Sequence, residues 1–276
     1  MTQLDERPSD LDAATDPATA WFAAFEDALT ARDITRASNL FAATSFWRDL
    51  IAFSWNLTTV ENPDGVADLL THNLDRVDPR GFRLTEPADT ADGVTTAWFE
   101  FETAVGRGRG LIRVLDGGDG EGPKAWTFLT TLYELKGHEE PKGVRRPMGA
   151  EHGATKQRVT WQEKRAAEDA ALGVDTQPYA LVVGGGQGGI ALGARLRQLG
   201  VPALVIDKHP RPGDQWRNRY KSLCLHDPVW YDHLPYLKFP DNWPVFAPKD
   251  KVADWLESYT KVMEVPYWSR TEARDA

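Results

Sequence analysis

The chain holds one cysteine, Cys224, among 276 residues. A lone thiol excludes an internal disulfide and a cysteine zinc site, and no metal site is expected; a reducing cytoplasm is the expected compartment. No apolar run approaches the roughly 18–20 residues that a membrane helix needs. The start, MTQLDERPSDLDAATD, has neither the basic nor the apolar stretch of a signal peptide. Basic residues are in the minority, 32 Lys+Arg against 41 Asp+Glu, and the net charge of −9 argues against a general nucleic-acid binder. Neither internal repeats nor a long low-complexity tract is present. What is there is ordinary for a folded protein: 41% hydrophobic and 26% charged residues exclude wholesale disorder. At roughly 100–200 residues per domain, the length predicts one large or two modest domains.

The charge is unevenly divided. Residues 1–175 carry 19 basic and 30 acidic residues, a net of −11, whereas residues 176–276 carry 13 and 11, a net of +2. Such asymmetry suggests two units with different surfaces. The stretch HEEPKGVRRPMGAEHGATKQR has glycines, prolines and charges without an apolar period, and VTWQEKRAAEDAALG after it reads as a short charged helix. Pro178 biases its neighbour away from helix. The expected division is a domain at 15–136, a linker with a short helix at 137–176, and a second unit at 177–276.

In the first unit Asp16 is placed to cap a helix with Pro17 in its first turn, and Trp21, Phe22, Phe25 and Leu29 fall near one face. ITRASNLFA reads as a second short helix and NPDGVADLLTHNL as a third. SFWRDLIAFSW fits a buried strand or a helix, since periodicity alone does not separate them. Strands then dominate, with a turn at Thr90–Gly93 and a hairpin whose tip is glycine-rich. Helices first and strands after indicate an α+β domain with a curved antiparallel sheet. That order resembles the ketosteroid-isomerase-like cone, also called the SnoaL-like or nuclear-transport-factor-like fold. The resemblance implies a pocket between the helices and the concave sheet face. Asp49, between Trp47 and Trp55, is then either a base beside aromatics or a packing or strand-edge capping residue. His72 reads as a solvated helix residue. The family hosts enzymes, ligand binders and dimerisation modules alike, so this resemblance implies no single activity.

The second unit carries the sharper constellation. YALVV is a continuous apolar run, as expected of a parallel strand buried on both faces. It leads into Gly184-Gly185-Gly186-Gln187-Gly188-Gly189, which satisfies G-x-G-x-x-G through Gly184, Gly186 and Gly189. Ile190, Leu192, Leu196 and Leu199 continue as a helix, and PALVID is a second strand ending at Asp207. Gly184 permits a tight turn, Gly186 lets the backbone approach a pyrophosphate, and Gly189 lets helix and strand pack closely. The helix N-terminus offers N–H groups and positive dipole to phosphates, and Asp207 can accept from a ribose diol. The unit is an α/β Rossmann-type βαβ start, and by itself it leaves FAD and NAD open.

The residues that follow bear on that choice. Gly213-Asp214-Gln215-Trp216, Leu225-His226-Asp227-Pro228, Leu234-Pro235, Phe239-Pro240, Trp243-Pro244 and Pro248-Lys249 come in order. Together they resemble the N-terminal portion of flavin-containing monooxygenases, nearest to YUCCA-like members and to fusions with a preceding SnoaL-like domain. The resemblance implies that Gly184, Gly185, Gly186, Gln187, Gly188 and Gly189 hold an FAD pyrophosphate and that Asp207 binds the adenosine ribose. It places Gln215 and Trp216 along the FAD and His226 near its isoalloxazine end. Asp207 stands where many members have Glu, and Asp214 replaces a second glycine. Arg217 and Arg219 read as solvated surface arginines or phosphate neighbours, and Cys224 as a small core residue.

Members of that family reduce FAD with NADPH and pass one oxygen atom from a C4a-peroxyflavin to a small organic substrate. No residue of this chain is assigned as catalytic. A second G-x-G-x-x-G for NADPH does not occur, and GRGRG at 106–110 lacks a strand before it and a helix after it. The expectation is that the chain is the N-terminal portion of a fused monooxygenase, incomplete for activity on its own. The alternatives are a non-catalytic module whose SnoaL-like domain dimerises or binds a small ligand, and an NAD-linked dehydrogenase.

Overall fold

A computed structural model describes residues 16–117, 122–149 and 156–274. They fall into two compact units divided between Glu139 and Glu140. In the first, Asp16 caps the helix as expected, accepting from the Thr19 N–H at 3.0 Å. Helix α1 (Pro17–Thr30) buries Trp21, Phe22, Phe25 and Leu29. Helix α2 (Ile34–Ser38) is shorter than ITRASNLFA suggests, because Phe41 already begins strand β1 (Phe41–Leu50). The ambiguous SFWRDL is thus strand. It is followed by β2 (Leu57–Glu61), α3 (Asn62–Val77), β3 (Arg80–Leu84) and β4 (Asp89–Ala91), then β5 (Val94–Glu102), β6 (Gly106–Leu115) and β7 (Lys124–Leu135). The sheet order is β2-β1-β7-β6-β5-β3, with β4 on β5. One neighbour pair departs from the expected antiparallel pattern: β1 and β7 run parallel.

Register explains the sequence pattern of this sheet. Ala97, Ile112, Phe128, Trp47 and Val60 lie opposite one another across five strands, and four of the five are buried. One residue along, Trp98, Leu111, Leu129, Arg48 and Thr59 form the neighbouring row on the other face. GRGRG belongs to β6, and its glycines take inward positions. A Cβ at Gly108 or Gly110 would run into the rings of Phe101 or Phe99, so glycine is the residue that admits those rings. The aromatics of the helices and the sheet interlock: Trp21 stacks on Phe25 at 4.6 Å, Phe99 on Phe128 at 5.1 Å, and Phe41 on Trp47 at 5.8 Å. These rings pack between the helices and the sheet.

In the second unit, α4 (Trp161–Ala171) starts with a complete capping box, Thr160 and Glu163. Strand β8 (Ala180–Val183), helix α5 (Gln187–Gln198) and strand β9 (Ala203–Ile206) form the expected βαβ unit. After them come α6 (Asp214–Arg217), α7 (Lys249–Val262) and β10 (Tyr267–Trp268), and the parallel sheet has the order β10-β9-β8. All four residues of β9 are buried. Strand β8 is not buried on both faces: Leu181 is 54% and Val183 66% exposed. The correction follows from position, since β8 is an edge strand with Val182 toward the core of α5 and α7 and its other face uncovered.

Candidate functional site

The glycine loop runs from the end of β8 into α5. Gly184 has φ +105, a conformation that L side chains rarely adopt, so the turn requires glycine there. Gly189 sits in the first turn of α5, where a Cβ would overlap the Gly184 carbonyl oxygen and stand 3.3 Å from Val182 Cγ1. Gly186 differs from both. Its backbone, φ −75 and ψ −174, is open to any residue, and an added Cβ would meet only Gln215 Nε2 at 3.6 Å. Nothing in the fold requires glycine at 186, so its small size is available to a ligand that approaches the backbone.

Three side chains distant in sequence hold the Gly185 peptide groups. Asp207, just after β9, accepts from the Gly185 N–H through Oδ2 at 2.7 Å. On the other side, Gln215 Nε2 (3.4 Å) and the Tyr267 hydroxyl (3.3 Å) donate to the Gly185 carbonyl. Asp207 Oδ1 takes the His209 N–H and the His209 ring Nδ1, each at 2.7 Å. Burial pushes the Asp207 carboxyl up, but the N–H groups of His209 and Gly185 and the His209 ring outweigh it and hold it below the usual carboxylate range. Tyr267 moves the opposite way: burial, aided by the negative charges of Asp207 and Asp214, raises its hydroxyl. Tyr267 escapes a reading of the sequence. Only the β9–β10 pairing brings it beneath the loop, and no local motif marks it.

Gln187, Gln215 and Trp216 are brought together here, with the Trp216 indole donating to Gln187 Oε1 at 3.1 Å. Gly188 has open space about its Cα. His226 lies on the loop before α7 and is exposed. Arg217 is not a solvated arginine. Its guanidinium binds Asp214 (3.0 Å), Asp254 (2.7 Å) and Glu257 (2.8 Å), because the buried Asp214 carboxylate needs a counter-charge. Arg219 is exposed, and Cys224 is half-buried.

Two first-unit candidates also have definite places. Asp49 is fully buried, and its carboxylate accepts from the N–H groups of Ala52, Phe53 and Ser54 and from the hydroxyls of Ser54 and Thr130. It is the cap of the turn after β1. His72 is exposed on α3.

The comparisons with known proteins bear on this loop. Residues 182–240 match the family model described as an NAD(P)-binding Rossmann-like domain. The chain is 39% identical over 92 residues to an oxidoreductase named CzcO-like from Geobacillus kaustophilus, covering 33% of this chain and 26% of the other. It is 39% identical over 83 residues to indole-3-pyruvate monooxygenase YUCCA1 of Oryza sativa subsp. japonica, covering 30% and 20%. Over these residues the second unit is similar to proteins named as an oxidoreductase and a monooxygenase. It spans about a quarter of the length of these curated relatives. Among solved structures, a ketosteroid isomerase-like protein from Erwinia carotovora matches 41% of this chain and 91% of its own, with 11% identity and a TM-score of 0.35. The α+β cone of the first unit rests on the strand order and register above.

The residues at the flavin monooxygenase-like loop fit a dinucleotide. Gln215 Oε1 is buried with no hydrogen-bond partner, and Gly186 leaves room in front of the backbone beside it. An acceptor of that kind beside an open glycine and a helix N-terminus suits a ligand with phosphate acceptors and hydroxyl donors.

Proposed function

We propose that the second unit binds FAD and belongs to an oxidoreductase that uses NADPH and oxygen to oxygenate a small organic substrate. The observation that carries this reading is the glycine loop, with Gly186 open and Gln215 Oε1 unpaired beside it. The likeness to oxidoreductase and monooxygenase relatives supports it. Gly184 to Gly189 would hold the pyrophosphate on the N-terminus of α5, Asp207 would face the adenosine ribose, and Gln215 and Trp216 would lie along the cofactor. Bound FAD supplies hydride acceptance and the activation of oxygen; the chain's own residues bind and orient it. His226, exposed on the loop before α7, would lie toward the isoalloxazine end of FAD, and no residue of this chain is assigned to NADPH or to the substrate. Purified protein should carry or take up a flavin spectrum that Gly186→Trp abolishes. A colourless protein with no nucleotide affinity would defeat the reading, and NADH bound more tightly than FAD would favour a dehydrogenase instead.

We read the first unit as a homodimerisation module. Asp49 is held by its turn, whereas the outer sheet face exposes Trp98, in a row with Leu111 and Leu129, and Phe46, in a row with Thr127 and Arg113. Light scattering should show a dimer that Trp98→Lys converts to monomer; a monomeric wild type refutes this part.

A further inference from the structure

Asp207 meets any dinucleotide with most of its acceptor capacity already used. An ionised carboxylate offers about four lone-pair positions, and three are occupied: one on Oδ2 by the Gly185 N–H, two on Oδ1 by the His209 N–H and ring. Because the ionised carboxylate only accepts, the His209 Nδ1 must carry the proton in this contact. Asp207 is buried and His209 is half-buried over it. The pair therefore forms a fixed post at the end of β9, and the post bears on the loop's second residue.

The Gly185 peptide groups translate that post into loop direction. The Gly184–Gly185 peptide is fixed through its N–H by Asp207. The Gly185–Gly186 peptide is fixed through its carbonyl by Gln215 and Tyr267. In a planar trans peptide the N–H and C=O point opposite ways, and no peptide in the described residues is cis. Holding the Gly185 carbonyl therefore aims the Gly186 N–H to the opposite side of the loop. Asp207, Tyr267 and Gln215 together fix two successive peptides, the pair that precedes α5.

We infer that Asp207 governs dinucleotide binding chiefly by clamping Gly185, and that His209 is a positioning residue that holds Asp207 in the clamping position. This rests on the FAD reading above for its ligand but not for its geometry. The acid's direct contact with the ribose is then the lesser part of its effect, limited to the one remaining position on Oδ2. Tyr267 belongs to the same device from the β10 side.

The test combines a binding cycle with a measurement on the ligand-free chain. FAD and its analogue lacking the adenosine 2′-hydroxyl are titrated into the full chain, wild type and with Asp207→Ala, His209→Ala or His209→Asn. Asp207→Ala should weaken both ligands by tenfold or more and by the same factor within twofold. His209→Ala should weaken both several-fold, and His209→Asn, whose amide can donate in place of Nδ1, should restore most of the loss. In the ligand-free protein, hydrogen exchange at the Gly185 amide should be slow, and it should quicken in Asp207→Ala and His209→Ala. A penalty for Asp207→Ala that vanishes with the 2′-deoxy analogue overturns the inference in favour of a direct ribose contact. Gly185 exchange unaltered in the folded His209→Ala chain overturns it as well. If the wild type binds neither ligand, the FAD reading falls, while the exchange measurement still decides the clamp.

Discussion

Alanine placed in turn at Gly186, Gly188 and Gly189 separates what the loop needs for folding from what it needs for a cofactor. At Gly188 nothing lies within 4 Å of an added Cβ, and the residue is inside α5. Alanine there lowers the entropy of the unfolded chain and favours helix, a gain of about 0.5–1 kcal/mol. Gly189→Ala receives the same helical gain but drives a methyl into the Gly184 carbonyl, whose carbon would lie 3.1 Å away. Backbone cannot rotate aside as a side chain can, so the loop or the helix must shift. Overpacking of this kind costs about 1–3 kcal/mol, which outweighs the gain. Gly186→Ala keeps an allowed backbone and makes one ordinary contact at 3.6 Å, so its stability should stay within about 0.5 kcal/mol of wild type. Its methyl nevertheless stands on the open side of the loop, and FAD affinity should fall tenfold or more, about 1.4 kcal/mol. Urea unfolding followed by tryptophan fluorescence and FAD titration measure both quantities. The order of unfolding midpoints should be Gly188→Ala highest, Gly186→Ala near wild type, Gly189→Ala lowest. A Gly189→Ala midpoint at or above that of Gly188→Ala, or wild-type FAD affinity in Gly186→Ala, would refute the assignment of roles.

Three further outcomes are expected. Arg217→Ala leaves Asp214 buried without its main counter-charge and should destabilise the second unit by about 3–5 kcal/mol in urea unfolding; a loss under about 1 kcal/mol would show that Arg211 suffices. Asp49→Ala removes the acceptor of three N–H groups and two hydroxyls at a fully buried position, and should cost the first unit about 3 kcal/mol or more; tryptophan fluorescence of Trp47 would follow it. Acid should act on the second unit through Asp207, Asp214 and Glu140. In each, burial raises the carboxyl but is outweighed: by N–H donors and the His209 ring at Asp207, by Arg217 and Arg211 at Asp214, and by Tyr236, Lys142 and Arg195 at Glu140. All three titrate below their unfolded values of about 4. Their stabilisation is therefore full above about pH 5 and is lost as pH falls from about 4 through the folded values. Thermal melts across pH 3–7 should be flat above 5, and a loss that sets in above pH 6 would contradict this.

How much of the site is legible depends on how far apart its parts lie in sequence. The strand–glycine loop–helix–strand unit is contiguous, so Gly184, Gly186, Gly189 and Asp207 announce their geometry through spacing alone, and the structure shows Gly184 constrained by its backbone, Gly189 by packing and Gly186 by neither. What spacing cannot carry is which atoms meet across a sheet. Tyr267 stands under Gly185 because β10 pairs with β9, a contact spanning some sixty residues, and its own neighbourhood, VPYW, looks like any short strand. Asp49 shows the same limit from the other direction. Its neighbours Trp47 and Trp55 make it look like a carboxylate among aromatics, yet Trp55 is exposed, and Thr130, paired with it through β7, supplies a hydroxyl instead. Arg217 is illegible in sequence because its three carboxylates sit three, 37 and 40 residues away, and only the packing of α6 on α7 gathers them. YALVV misleads for a reason of composition: an apolar run records that a strand is suited to burial on two faces, whereas its exposure depends on what lies over it. GRGRG reverses the usual inference from glycine. Its alternation has the period of a strand, and the missing side chains at 108 and 110 are the space that Phe101 and Phe99 occupy, so glycine there is a packing residue for its neighbours rather than a hinge or a phosphate cradle.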